Sequence, residues 1–345
     1  METKLVKTNS KRRFVSGALV LAAAVCAGTV SAQTQAPTGT IEIVPVRGHI
    51  YLLAGAGANI TLSVGPDGVF MVDAGLPNMT DKILAAVTQL TKDLVKDGQP
   101  VRSYAPPKPI RYLANTTISP DHTGGNVKIA ESGKTFTGGN VAADLNSGLA
   151  NDDAAILSTE KAMLRLVDAK MPGNGQPTET YGKGIMKLSD YFNNEGIELF
   201  HMPDATTDGD SIVFFRGSDV IATGDIFDMT SFPIIDMAHG GSIQGELAAL
   251  NRLDEMAEAK FRTEGGTMFI PGHGRIADLA DVAYYRDMVT IIRDRVQWMM
   301  KKDMSLAQIK AAKPTEDWDG RFGKNPNWTP DMFVDAIYKG LSGKK

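Results

Sequence analysis

Two adjacent residues, Asp121 and His122, set a carboxylate beside an imidazole inside a polar loop that runs Asn115-Thr116-Thr117-Ile118-Ser119-Pro120-Asp121-His122-Thr123-Gly124-Gly125-Asn126. That pairing suits a divalent cation such as zinc, which takes both nitrogen and oxygen donors. A second carboxylate, Asp225, follows Gly224 at the end of an apolar run, and strand-end loops are where a rigid scaffold presents functional side chains. A second imidazole, His273, stands in Pro271-Gly272-His273-Gly274, where glycine lets backbone approach a ligand closely. Each piece also has a plain structural explanation. Asp121 can cap the helix that follows it, Gly-Asp is an ordinary turn dipeptide, and a histidine between glycines can belong to a simple turn.

The elements that must position these residues are legible as alternating runs. Short β-rich stretches at residues 41–46, 49–54, 59–64 and 68–73 are punctuated by Gly and Pro, as hairpin strands are. Residues 79–95 place Ile83, Leu84, Val87, Leu90 and Leu94 at helical spacing. A strand at 110–114 leads into the Asp121 loop. A helical stretch is expected over 142–171, broken by Pro172-Gly173-Asn174-Gly175. A second β-rich half begins near Ile185, with strands at 197–201, 211–215, 219–222 and 267–270 and helices at 242–259 and 279–300. Strands followed by helices, twice over, imply two sheets packed face to face with helices outside. Further helices are expected at 306–312 and 330–341, with Trp318, Phe322 and Trp328 around them as packing anchors.

At 345 residues, 43% hydrophobic and 22% charged, the composition is that of a soluble globular protein of one large or two ordinary domains. Lys4, Lys7, Lys11, Arg12 and Arg13 precede an apolar run at 14–30, and Val30-Ser31-Ala32 offers a small-residue cleavage site, so residues 1–32 read as an export signal. The run is short and Ala-rich, which favours cleavage over a retained anchor and implies a periplasmic or secreted protein without stable membrane insertion. Ser10-Lys11-Arg12-Arg13-Phe14 resembles a twin-arginine signal loosely. A linker at 33–40 would follow. The single cysteine, Cys26, lies inside the signal, leaving the mature chain without a disulfide or thiolate ligand. Removing the signal takes the net charge from −4 to about −8, which argues against nucleic acid as a partner.

Together the three pieces resemble the metallo-β-lactamase superfamily from about Ile41 to Met300, leaving 301–345 as a helical extension packed on the domain. Ala58-Asn59-Ile60 and the stretch Val64-Gly65-Pro66-Asp67-Gly68-Val69-Phe70-Met71-Val72-Asp73-Ala74-Gly75 look like the family's opening hairpin and its Asp-containing turn. The resemblance implies an α+β fold, an αββα sandwich of two mixed sheets, with Asp73 supporting the site loop. The family's site loop reads His-x-His-x-Asp-His, and here its two leading histidines are Thr117 and Ser119. The later Ala-His-Thr-Asp-Gly-Asp motif appears as Ala205-Thr206-Thr207-Asp208-Gly209-Asp210, with Thr206 in place of histidine. In family terms the first metal position is erased. The second, formed by Asp121, His122 and His273 with Asp225 as the bridging carboxylate, is intact.

This pattern favours one retained divalent metal, zinc first, with iron or manganese as alternatives. Asp121 and Asp225 would repel each other without a cation, and they are the candidate catalytic carboxylates. A bound metal would lower the pKa of a water toward about 7, which is hydrolytic chemistry, on a small ester, lactone, amide or related substrate by resemblance. Thr117, Ser119 and Thr206 would form a hydroxyl cluster able to bind a water or substrate oxygen, and His239 is a further candidate pocket residue. His49 reads as structural and His201 as a second possible lining residue. Two other readings stay open: a catalytically inactive ligand-binding protein without metal, and a mononuclear metal oxidase.

Overall fold

The computed structural model describes residues 39–96, 110–135, 153–188, 191–257 and 265–343, all within one unit spanning residues 31–345. The first sheet holds, in chain order, β1 (Glu42–Arg47), β2 (Ile50–Ala56), β3 (Ala58–Gly65), β4 (Gly68–Val72), β5 (Ile110–Ala114), β6 (Ala155–Thr159) and β7 (Glu179–Tyr181). Its hairpins from β1 to β4 are antiparallel, and β4 through β7 run parallel. The second sheet follows the order β12-β11-β10-β9-β8, from β8 (Ile185–Lys187), β9 (Ile197–Met202), β10 (Asp210–Phe215), β11 (Val220–Asp228) and β12 (Met268–His273). Its pairs are antiparallel except β11 with β12.

Side-chain alternation along these strands builds three apolar layers. In β10, Val213 and Phe215 face the first sheet, where they meet Phe70, Val72, Ala114 and Leu157. Ile212 of the same strand faces outward with Ile221 and Phe269. On the outer face of the first sheet, Leu62, Met71 and Leu113 pack with Ile83 and Val87 of α1 (Thr80–Lys96). The one-turn α2 (Pro120–Thr123) and α3 (Asn126–Ser132) follow β5, and Ile129 of α3 joins that layer. After α4 (Glu160–Asp168), the second sheet is covered by α5 (Ile243–Met256) and α6 (Leu279–Met300), through Leu247, Leu250, Tyr285, Val289 and Ile292. Three further helices, α7 (Leu306–Ala311), α8 (Glu316–Phe322) and α9 (Pro330–Leu341), enter the same layer through Ile309, Phe322, Phe333 and Ile337. The result is an αββα sandwich of two mixed sheets, the α+β class read from the sequence.

Where expectation and structure part, burial explains it. The helix expected over 142–171 is in fact strand β6 followed by helix α4, with Thr159 capping α4 through the Ala162 N–H. All five residues of β6 are buried. A strand buried on both faces loses its polar–apolar alternation and cannot be told from a helix by periodicity. Residues 142–152 of that stretch lie outside the described residues, as do the expected signal at 1–32 and the linker as far as 38. Among the described residues no helix is long and apolar enough to cross a membrane.

Candidate metal centre

The site is assembled behind Asp73, which leaves β4 at φ +66°, a left-handed conformation that Asp tolerates. Its carboxylate accepts from the Thr116 N–H at 2.8 Å, the Thr116 hydroxyl at 2.6 Å and His122 Nδ1 at 2.8 Å. The loop after β5 is thereby folded back toward the sheet. Pro120 starts α2 with its φ already helical, and this single turn places Asp121 and His122 side by side, both buried.

His122 lies between two carboxylates. Its Nδ1 faces Asp73, and its Nε2 stands 2.9 Å from Asp225 Oδ1. Burial lowers the imidazole pKa, yet Asp225 and then Asp73 together hold it well above 6.5. With carboxylates on both nitrogens, the metal-free ring carries both protons.

Asp225 comes from a bulge inside β11, whereas the sequence suggested a loop after the strand. The β11–β12 register runs Ala222↔Ile270, Gly224↔Pro271, then Asp228↔His273, so the ladder breaks on both sides of Gly224. Gly224 has φ +54°, and a Cβ there would fall 2.4 Å from Thr116 Oγ1. A Cβ on Gly272 would fall 2.9 Å from Asp225 Oδ1. Both glycines are required by close approach at the site. Burial pushes the Asp225 carboxyl up, but His122 first, with His273 and Ser119, holds it far below the usual carboxylate range.

His273 ends β12 with Nε2 3.1 Å from Asp121 Oδ2 and 3.6 Å from Asp225 Oδ1. Its ring meets that of His122 edge-on, 5.8 Å between centroids. Burial lowers its pKa, and Asp121, Asp228 and Asp225 raise it to about 9. Asp121 completes the group: it is 1% exposed, its Oδ2 lies against His273 Nε2 in a poorly aligned contact, and neither carboxylate oxygen has any other donor. One ligand atom each from Asp121, His122 and His273 lies within 4.8 Å of the others.

A divalent cation fits this donor set. A buried carboxylate with a single poorly aligned neighbour is costly, and a cation held with His122 and His273 would supply the coordination the Asp121 oxygens lack. At His122 a metal would replace only the Nε2 proton, because Nδ1 stays hydrogen-bonded to Asp73, the carboxylate–imidazole–metal order in which ligating histidines are usually held.

The sequence model of the metallo-β-lactamase superfamily matches residues 54–273. The chain belongs to this superfamily. Among solved structures it is similar to the DIM-1 metallo-β-lactamase, at 17% identity and a TM-score of 0.50, covering 73% of this chain and 97% of that one. It is also similar to the stereoselective inverting sec-alkylsulfatase Pisa1 from Pseudomonas sp., at 15% identity and a TM-score of 0.56, covering 87% of this chain. The chain spans half the length of that sulfatase, 50%. No curated protein matches.

The positions where this metallo-β-lactamase relative departs from the family pattern do not form a free hydroxyl cluster. Ser119 donates to Asp225 Oδ2 at 3.1 Å, and Thr206 donates to Asp210 Oδ2 at 2.7 Å. Only the buried Thr117 hydroxyl has no partner. A carboxylate within reach outcompetes any neutral acceptor for such a donor, which is why two of the three are engaged. His239 pairs its Nδ1 with Asp236 at 2.6 Å and makes no hydrogen bond to Asp121, His122, Asp225 or His273. His201 Nε2 faces the Asp208 carbonyl at 2.9 Å, and His49 lies 3.3 Å from Glu195.

Three buried acids within electrostatic reach of Asp225 escaped sequence reasoning. Asp210 receives Thr206, the Thr207 N–H and the Thr207 hydroxyl, and its place at the end of the 205–210 motif was the available signal. Asp228 is held by Thr230 and Ser231, in the Asp-x-Thr-Ser pattern of a side-chain-stabilised turn. Glu246, in the first turn of α5, is fully buried with neither oxygen partnered. An acid there reads as complementing the helix dipole, so nothing in the sequence marks it.

Proposed function

We propose that the protein is an exported hydrolase that holds one divalent metal with Asp121, His122, His273 and Asp225, zinc before iron or manganese, and acts on a small ester, lactone, amide or related substrate. The observation that carries this reading is the convergence of one ligand atom each from Asp121, His122 and His273 within 4.8 Å, with the buried Asp121 carboxylate left with no donor but the poorly aligned His273 contact. Superfamily membership supports hydrolysis, and the similar structures include a β-lactamase and an alkylsulfatase, so the bond cleaved differs within the fold.

When bound, a divalent cation polarises the bond under attack and acidifies a water. The chain's own residues do the rest. Asp73 fixes the His122 tautomer and aim by holding Nδ1–H. Asp225, whose carboxyl His122 and His273 hold far below the usual range, presents Oδ1 between the two imidazoles. Thr117 keeps an unpartnered hydroxyl for a substrate or water oxygen.

One observation favours a rival reading, a metal-free ligand-binding protein: a doubly protonated His122 between Asp73 and Asp225 offsets part of their charge without a metal. Metal analysis of protein purified natively from the periplasm, starting near Gln33 after loss of residues 1–32, separates the two. About one equivalent per chain, lost in Asp121→Ala, is expected. A folded sample with no metal would remove the hydrolase proposal, and iron with oxygen consumption would replace it with the oxidase.

A further inference from the structure

Of the four candidate ligands, Asp225 has the least regular backbone support. His122 sits on a helical turn closed by its N–H to the Ser119 carbonyl at 3.0 Å. His273 ends a strand and is flanked by Pro271 and Gly274, whose carbonyls both accept from Asn59 Nδ2 at 2.9 Å. Asp225 instead follows a left-handed glycine where the ladder is broken. Its carboxylate turns about a broad, two-fold torsion, so which oxygen faces the imidazoles depends on what the other one binds. Oδ1 stands 2.9 Å from His122 Nε2 and 3.6 Å from His273 Nε2, while Oδ2 accepts the Ser119 hydroxyl at 3.1 Å.

We propose that Ser119 is a positioning residue of a one-metal site: its hydroxyl pins Asp225 Oδ2, so that Oδ1 alone is presented to the cation shared with Asp121 and His122 and His273. The inference rests on the metal reading above. In the family pattern this position is a histidine. Serine here supplies, through a hydrogen bond, a restraint on the Asp225 oxygen turned away from the imidazoles. Ser119 also lies in the same short segment as Asp121 and His122, so one loop sets three elements of the site. Partners behind metal ligands commonly control affinity by 10- to 100-fold.

The test compares zinc dissociation constants of the wild-type, S119A and S119T proteins by competition with a chromophoric chelator, together with visible spectra of their cobalt(II) forms. The expected result is about 10- to 100-fold weaker zinc binding and an altered cobalt spectrum in S119A, both restored in S119T, which keeps the hydroxyl. A purely structural role would not give rescue of both readouts by threonine. If S119A does not fold, S119V keeps the shape of threonine without the hydroxyl, and the same loss of affinity is expected. Wild-type affinity and spectrum in the alanine or valine variant would overturn the proposal, as would a threonine variant no better than alanine or valine. Wild-type protein that takes up no zinc, cobalt, iron or manganese would overturn the metal site itself.

Discussion

Burial and close neighbours set the charge of three buried carboxyl groups around the site, Asp225, Asp210 and Glu246. Asp225 is ionised because two imidazoles face it, whereas burial pushes Asp210 up to about 6 despite three donors from Thr206 and Thr207. Glu246 has no donor at all, and burial, with Asp210 and Asp225 nearby, holds its pKa well above the ordinary value. The folded chain then keeps a proton that the unfolded chain releases above about pH 4.5. The native state binds more protons, so stability falls as pH rises from there toward the folded pKa. His273 in the metal-free protein acts in the same direction: its contribution is complete below about 6.5 and is lost as pH rises through about 9. Replacing Glu246 with leucine removes a buried polar group at similar volume. At pH 8, Glu246→Leu is expected to gain roughly 1–3 kcal/mol in urea denaturation, with the gain shrinking toward pH 4.5. A loss of stability at pH 8 would mean that the carboxyl has a compensating partner.

At the scale of elements, the bulge in β11 connects backbone geometry to the site. Gly224→Ala would place a methyl 2.4 Å from Thr116 Oγ1 at φ +54°, disturbing the hydroxyl that bonds Asp73. The expected cost is about 1–3 kcal/mol with weaker metal binding, read by thermal melts and metal titration. Gly320→Ala in α8, where an added Cβ meets nothing within 4 Å, serves as the contrast and is expected to be neutral or slightly stabilising. The bulge also marks the limit of what the sequence discloses. Elements with end signals were legible: α6 begins at an Asp278–Asp281 capping box, α5 at the Ser242 cap, and β5 at 110–114 as read. Asp121, His122, Asp225 and His273 could be nominated because residue type and family spacing survive in sequence. The doubly buried β6 and the register break at Gly224 could not, since neither leaves a periodic trace. Nor could the partners of the hydroxyls, because Ser119 meets an acid 106 residues away and Thr206 one only four away.

For the molecule as a whole, the question is whether the last three helices are an appendage. The superfamily match ends at residue 273, yet the apolar layer over the second sheet continues through α6 into α7, α8 and α9. Phe232 stacks on Phe333 at 5.1 Å, and Tyr285 meets Phe322 edge-on at 5.5 Å. Arg295 covers Trp318 at 5.2 Å. Ile309, Phe322, Trp328, Phe333, Val334 and Ile337 are all buried in this layer. At roughly 1.5–3 kcal/mol for each large apolar side chain, their removal forfeits on the order of 10 kcal/mol. That is comparable to the whole stability of a typical domain, about 5–15 kcal/mol, and it bares Phe232 and Tyr285 as well. A chain ending at residue 300 is therefore expected to lose fixed tertiary packing, with near-UV circular dichroism lost and the dye ANS bound. Such a chain melting cooperatively at the wild-type temperature would show that the sandwich folds without these helices, whose packing would then contribute little to its stability.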